Sequence, residues 1–343
     1  MHFFVTGHTG FKGSWLIQLL LAKGYKVSGY SLDPLPGSLF EICNLAKHCV
    51  NDYRHDIRDF HRVVTAIKEC EPDVVIHMAA QPLVRESYRN PVETFETNVD
   101  GTLNLLRACQ EIDSIRAQLI VTTDKVYKNK NQKTGYKEDD ELGGQDPYSA
   151  SKSMADILTQ SWISSVKCAP TAIARAGNVI GGGDVSVDRL IPDLINAYKN
   201  EEIPKLRFPG AVRPWQYVLD CLNGYLKLVE YLLSGGKDPL WNFGPKADEF
   251  KEVSEVAEIV ARRWDAKTAW EYDQVENPHE ANLLSLDSSK AREILGWEAK
   301  YDFKTSVALT SKWYEDVFRN KSNPKEITDR AVNDFLGGEA WGQ

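Results

Sequence analysis

Val5-Thr6-Gly7-His8-Thr9-Gly10-Phe11-Lys12-Gly13-Ser14-Trp15-Leu16 decides the fold of this chain, because three glycines carry a short apolar strand straight into a helix. The strand, Phe3-Phe4-Val5-Thr6, begins within three residues of Met1. The glycine spacing is G-x-x-G-x-x-G rather than G-x-G-x-x-G. Three glycines alone are compatible with a plain loop. At a first strand-to-helix turn they permit a tight bend and bring backbone N–H groups close to a pyrophosphate at the helix N-terminus. Gly7, Gly10, Phe11, Lys12 and Gly13 are therefore read as one half of a dinucleotide site.

Beyond this turn the first half alternates apolar strands with amphipathic helices, the sequence form of a doubly wound parallel sheet. Lys26–Tyr30, Asp73–His77, Ala117–Val121 and Thr171–Arg175 read as strands, with helices near 13–23, 58–69, 92–111 and 148–166. After Arg175 the texture shifts to glycine and proline punctuation, including Gly181-Gly182-Gly183, Pro192, Pro204, Pro209 and Pro214. The predicted class is α/β, a Rossmann-type doubly wound parallel sheet with a smaller C-terminal substrate-binding domain. Residues 1–177 are assigned to the first domain, which also receives about 214–243, residues 178–320 mostly to the second, and 321–343 to a loosely held tail.

Further cofactor positions follow from this sheet. An acid ordinarily ends strand two and holds the adenosine ribose hydroxyls. Here Tyr30-Ser31-Leu32 occupies that end and Asp33 precedes Pro34 in the loop, so Ser31 takes the position. NAD is expected over NADP because no arginine lies nearby to take a 2'-phosphate, with Lys12 as the residue that keeps NADP open. Asp56-Ile57, after a presumed third strand, is placed by the adenine amino group, a helix N-cap being the equal alternative for Asp56. Ala79-Ala80-Gln81 after strand four line the cofactor, and Asn98, Thr122 and Arg175 complete the set.

Composition narrows the function classes. The 343 residues are 42% hydrophobic and 26% charged, which describes a globular protein rather than a disordered one. A net charge of −8 argues against nucleic acid as a partner, so an anionic ligand must be met by individual cations or helix N-termini. Six scattered cysteines without C-x-x-C pairs fit free thiols in a reducing cytoplasm. The histidines form no metal pattern, and no metal site is expected. No signal peptide and no apolar run long enough for a bilayer are found, so the expected location is cytoplasmic without a membrane partner.

The chemistry sits in two short stretches, Thr122-Thr123-Asp124-Lys125 and Tyr148-Ser149-Ala150-Ser151-Lys152. A tyrosine four residues before a lysine on one helix puts both side chains on one face. Lys152 and a nicotinamide cation would both favour the Tyr148 phenolate, the base for an alcohol proton. Thr123 is the hydroxyl expected to orient that alcohol. The extra acid Asp124 and the extra potential base Lys125 point to elimination of water after oxidation. A 4-epimerase would need neither, and a cofactor-sensing regulator on a degenerate fold would have lost Tyr148 or Lys152.

Together with Ala79-Ala80-Gln81-Pro82-Leu83-Val84-Arg85, Arg175–Asp184, Arg189–Asp193, Arg213-Pro214-Trp215-Gln216, Asn242–Pro245 and Pro278-His279-Glu280-Ala281, these stretches resemble the extended short-chain dehydrogenase/reductase family over residues 2–315. Within it they are similar to the nucleotide-sugar 4,6-dehydratases. The resemblance implies NAD, a nucleotide-sugar substrate, and a homodimer formed through the helices near 92–111 and 148–166. It implies that Tyr148 takes the proton of the sugar C4 hydroxyl, Lys125 the C5 proton, and that protonated Asp124 donates to the departing C6 hydroxyl. An alternative leaves Lys125 as an electrostatic stabiliser of the C5 carbanion. Asn178, Arg189 and Arg213 are expected at the diphosphate, His279 and Glu280 at the nucleoside, and Arg85 at the substrate.

Overall fold

The computed structural model describes residues 1–130, 132, 134–246, 249–274 and 284–337. Seven parallel strands form one sheet in the order Leu240–Phe243, β6 (Thr171–Ala176), β5 (Ala117–Val121), β4 (Val74–His77), β1 (His2–Thr6), β2 (Lys26–Ser31) and β3 (Asn51–Arg54). The expected doubly wound sheet is borne out. Its order reverses between β1 and β4, and a cleft opens there beyond the carboxyl ends of the strands. Thr6 pairs with Tyr30 on one side and His77 on the other, which seats Gly7 over the switch.

The strands alternate faces as their sequence dictates. Phe3 and Val5 enter the core on one side of the sheet, while Phe4 and Tyr30 enter the core on the other. Local signals set the helix starts. Asp146 accepts from Ser149 N at 2.9 Å, and Pro147 occupies the first turn of the helix Pro147–Ser165. Asp59 caps the helix Phe60–Cys70 in the same way, accepting from Arg62 N. The helix expected near 92–111 is present as a continuous helical run, Pro91–Phe95 and Gly101–Gln110, with a π turn over Glu96–Asp100 between them. The π turn carries Asn98, whose amide bonds the Gln81 backbone and the Ser151 hydroxyl.

Residues after the sixth strand build a lobe beside the cleft from the helices Leu190–Lys199, Val253–Arg263 and Phe303–Tyr314. Ile191, Leu194, Val256 and Trp313 from this lobe join the same apolar core as Val5 and Trp15. No described helix is long and apolar enough to cross a membrane.

The loose tail expected from residue 321 is corrected up to Gly337. Pro324–Phe335 is a helix whose Thr328, Val332 and Phe335 are buried, and Thr328 accepts from the Trp313 indole at 3.0 Å. Its apolar positions recur at helical spacing, a pattern hidden by the polar residues between them. Burial of Val332 and Phe335 is worth about 3 kcal/mol or more. A chain ending at Asn323 is expected to lose about that much stability in urea denaturation, and an unchanged unfolding midpoint would show that the helix contributes nothing.

Candidate active site

A cleft of about 1220 Å³ runs from the glycine turn, past Tyr148, to the segment 202–208 of the second lobe. Gly7, Gly10, Phe11, Lys12 and Gly13 all line it. Gly7 has φ +71°, and a Cβ there would lie 2.7 Å from Ala79 N, so only glycine lets the two strand ends meet. His8 turns away from the cleft, packs edge-on to Phe40 at 5.2 Å and bonds Asp52 at 2.8 Å. Burial lowers its pKa.

Ser31, Asp56, Ile57, Ala79 and Ala80 line the end of the cleft nearest the glycine turn, together with Thr9, Leu32, Leu35 and Arg58. Thr9 donates to Ser31 Oγ at 2.8 Å and also to Leu32 O, pinning the end of β2. The expectation that no arginine lies near this end is corrected. Arg54 reaches Leu32 O, and Arg58 grips Asp56 at 2.6 Å; both come from the neighbouring β3 segment, which only the sheet order brings alongside. Each is already engaged by a carboxylate, Arg54 by Asp52 and Arg58 by Asp56. The Arg58 hydrogen bonds hold Asp56 below its ordinary pKa. Lys12 points inward, donating to the Tyr225 hydroxyl at 3.2 Å.

Thr122, Thr123, Asp124, Lys125, Tyr148 and Lys152 converge on the middle of the cleft. Thr123 caps the short turn Asp124–Val126, and its hydroxyl lies 2.9 Å from Asp124 Oδ1. A Cβ on Gly177 would lie 3.1 Å from Asp124 Oδ2 and 3.3 Å from Pro214, so this glycine makes room for the carboxyl against an apolar wall. Burial consequently raises the Asp124 pKa, opposed by Lys125 and by the Thr123 hydrogen bond. Burial also raises the Tyr148 phenol, with the Thr123 hydroxyl acting in the other direction. Lys152 donates to Val121 O at 2.9 Å, and burial, reinforced by Lys12, pushes its pKa down to about 8.

Asn178, Arg189, Arg213 and Arg85 line the second lobe's side. Arg85 crosses the cleft to Asp188 at 3.0 Å, and Arg189 approaches Pro82 O at 3.5 Å. Residues 202–208 close the far end with Lys205, Leu206, Arg207 and Phe208, a stretch that carried no motif. Gly177, Thr9 and Arg58 were also missed by sequence reasoning, since each acts through a neighbour distant in the chain. His279 and Glu280 lie outside the described residues.

Three residues assigned to the cofactor from sequence stand behind the cleft wall. Gln81 folds back on Leu83 and Thr94, and Asn98 braces that turn from the π helix. Arg175 is fully buried, with its guanidinium bonded to Asp156, the Tyr127 hydroxyl and Glu138 O. Ala174 and Ala176 enter the core on one face of β6, and the alternation of the strand sends Arg175 to the other.

A sequence profile of the GDP-mannose 4,6 dehydratase family matches residues 4–310. The chain belongs to this family. Among its relatives is the CDP-glucose 4,6-dehydratase of Salmonella typhimurium, 40% identical over 341 residues and 95% of each chain. The dTDP-glucose 4,6-dehydratase of Xanthomonas campestris is 27% identical, over 90% of this chain and 92% of that one. The same fold recurs in a Bacillus anthracis dTDP-glucose 4,6-dehydratase solved with NAD, with TM-score 0.80, 24% identity, and coverage of 93% of this chain and 98% of that one. It recurs also in a Thermotoga maritima UDP-glucose 4-epimerase solved with UDP-glucose, with TM-score 0.80, 23% identity, and coverage of 92% and 99%. The dehydratase resemblance drawn from the motifs is thus borne out.

The sealed Arg175–Asp156 pair yields a test of its corrected role. Arg175→Met strands a buried carboxylate and is expected to cost about 3 to 5 kcal/mol of stability in denaturant titration. Intact stability with weakened NAD binding would return Arg175 to the cofactor.

Proposed function

We propose that this chain is an NAD-dependent dehydratase that converts CDP-glucose to CDP-4-keto-6-deoxyglucose. The observation that carries the reading is the convergence in one cleft of the Tyr148–Lys152 pair with a shielded Asp124 and its neighbour Lys125. The choice of CDP-glucose is supported by the 40% identical relative.

The residues at the glycine end fit NAD. Gly7 has no room for a Cβ, so the turn lies close against Ala79 and opens onto the N-terminus of the first helix, and the arginines at the β2 end are bound to carboxylates rather than presented to a 2'-phosphate. What bound NAD supplies is a hydride acceptor for C4 and a hydride donor for C6, so the cofactor is regenerated in each turnover.

The chain's own groups handle the protons. Tyr148 removes the C4 hydroxyl proton while Thr123 orients that hydroxyl. Burial leaves little phenolate at neutral pH, so Tyr148 acts as a base only with positive charge nearby, which the Lys152 ammonium and bound NAD would supply together. The resulting C4 ketone acidifies the C5 hydrogen, which Lys125 removes. Asp124, held protonated by its dry setting, passes its proton to the C6 hydroxyl, and water leaves as the C5–C6 double bond forms; when C6 takes hydride, the proton held by Lys125 returns to C5. Asn178, Arg189 and Arg213 hold the diphosphate from the second lobe.

The same reading includes a homodimer. Tyr88, Val92, Met154 and Ile157 are large apolar side chains more than two-fifths exposed on adjoining helices, a face suited to a second copy. Ile157→Glu is expected to shift the protein from dimer to monomer in light scattering, and an unaltered mass would place the interface elsewhere.

CDP-glucose deuterated at C4 is expected to yield a 4-keto-6-deoxy product with deuterium at C6. Deuterium returned to an inverted C4 would establish an epimerase instead. In Lys125→Ala, bound NAD is expected to be reduced while little deoxy product is released; full turnover would remove Lys125 from the chemistry.

A further inference from the structure

Behind the cleft wall, a single buried guanidinium joins the chain segments that carry the two halves of the chemistry. Arg175 grips Asp156 through Nε at 2.8 Å and Nη2 at 2.7 Å, with both side chains fully sequestered. Asp156 lies one helical turn beyond Lys152 and two beyond Tyr148, on the same helix. Its Oδ2 also accepts from the Thr122 hydroxyl at 3.0 Å, tying that helix to the end of β5. Arg175 Nη1 donates to the Tyr127 hydroxyl at 2.7 Å, and Tyr127 donates onward to Asn242 Oδ1 at 2.8 Å. Tyr127 follows the turn Asp124–Val126 and lies two residues beyond Lys125.

The turn bearing Asp124 and Lys125 is therefore anchored at both ends to the Tyr148 helix. Thr122 holds the near end through Asp156, and Tyr127 holds the far end through Arg175. Ser153 of the same helix adds a hydrogen bond to Val126 O at 2.9 Å. The Tyr127 tie is the charge-assisted one of these contacts to the far end. Its ring is also fixed, stacked on Tyr136 at 5.1 Å and 17° and beneath Arg175 at 5.0 Å.

Oxidation at C4 uses Tyr148, Thr123 and Lys152, all on the helix or at the near end. Elimination requires the far part of the turn to meet C5 and C6 of a sugar already held by Tyr148. We propose that Tyr127 is a positioning residue for the elimination step, locking Lys125 and Asp124 to the Tyr148 helix through Arg175 and Asp156. This role rests on the dehydratase reading above.

Tyr127→Phe tests it, since the ring and its stacking remain and only the hydroxyl is lost. NAD-loaded protein is mixed with CDP-glucose, and bound NADH is followed by absorbance while 4-keto-6-deoxy product is measured by quenched flow. NADH formation is expected to stay within about threefold of wild type, while product release falls by about tenfold or more and NADH accumulates. The ratio of the two rates does not depend on how much protein is folded, so a less stable variant still answers. An equal fall in both rates, or wild-type product release, would overturn the role of Tyr127. Wild-type protein that forms NADH yet releases no deoxy product would overturn the dehydratase reading itself.

Discussion

Burying a guanidinium and a carboxylate together is costly unless their hydrogen bonds are made inside the protein, and the Arg175–Asp156 pair makes them by recruiting groups from distant parts of the chain. The strand end at Thr122, the segment after Lys125, the helix of Tyr148, the loop at Glu138 and the strand Leu240–Phe243 converge on it. The constraint works in both directions. The pair is tolerated because these segments close around it, and the segments hold their spacing because the pair admits few other arrangements. A site that must handle C4, C5 and C6 of one sugar depends on such fixed spacing.

The cleft in front of this network separates its titratable groups by solvation. Asp124, beside Gly177 and Pro214, is pushed toward its neutral form, which suits a proton donor. Lys152 is pushed toward neutrality as well, down to about 8, while Tyr148 resists ionisation. Protein groups alone thus leave the tyrosine under-activated. With NAD bound, the nicotinamide cation would supply further positive charge favouring the Tyr148 phenolate.

At the other end of the cleft the constraint is steric. Gly7 and Gly29 stand where a methyl group would clash, the first with the backbone at Ala79 and the second with the His8 ring. The close approach of β1, β2 and β4 follows, and with it the backbone cradle at the switch point. The second lobe shares its apolar core with the sheet, so the cleft is a seam within one packed body.

The sequence by itself determined the sheet class, the glycine turn and the membership of Tyr148, Lys152, Thr123, Asp124 and Lys125 in one site. Local rules suffice for these: hydrophobic alternation, a helical turn placing Tyr148 over Lys152, and caps such as Asp146 and Asp59. Tertiary structure alone decided what depends on strand order and side-chain direction. It drew Arg54 and Arg58 to the end of β2, turned Arg175 away from the cleft into a buried network, and set a π turn within the 91–110 helix where Asn98 braces the Gln81 turn. It also docked the helix Pro324–Phe335 on the core. Each outcome rests on contacts between residues far apart in the chain, which no local spacing encodes, and the energy of those contacts exists only once the sheet has brought them within reach.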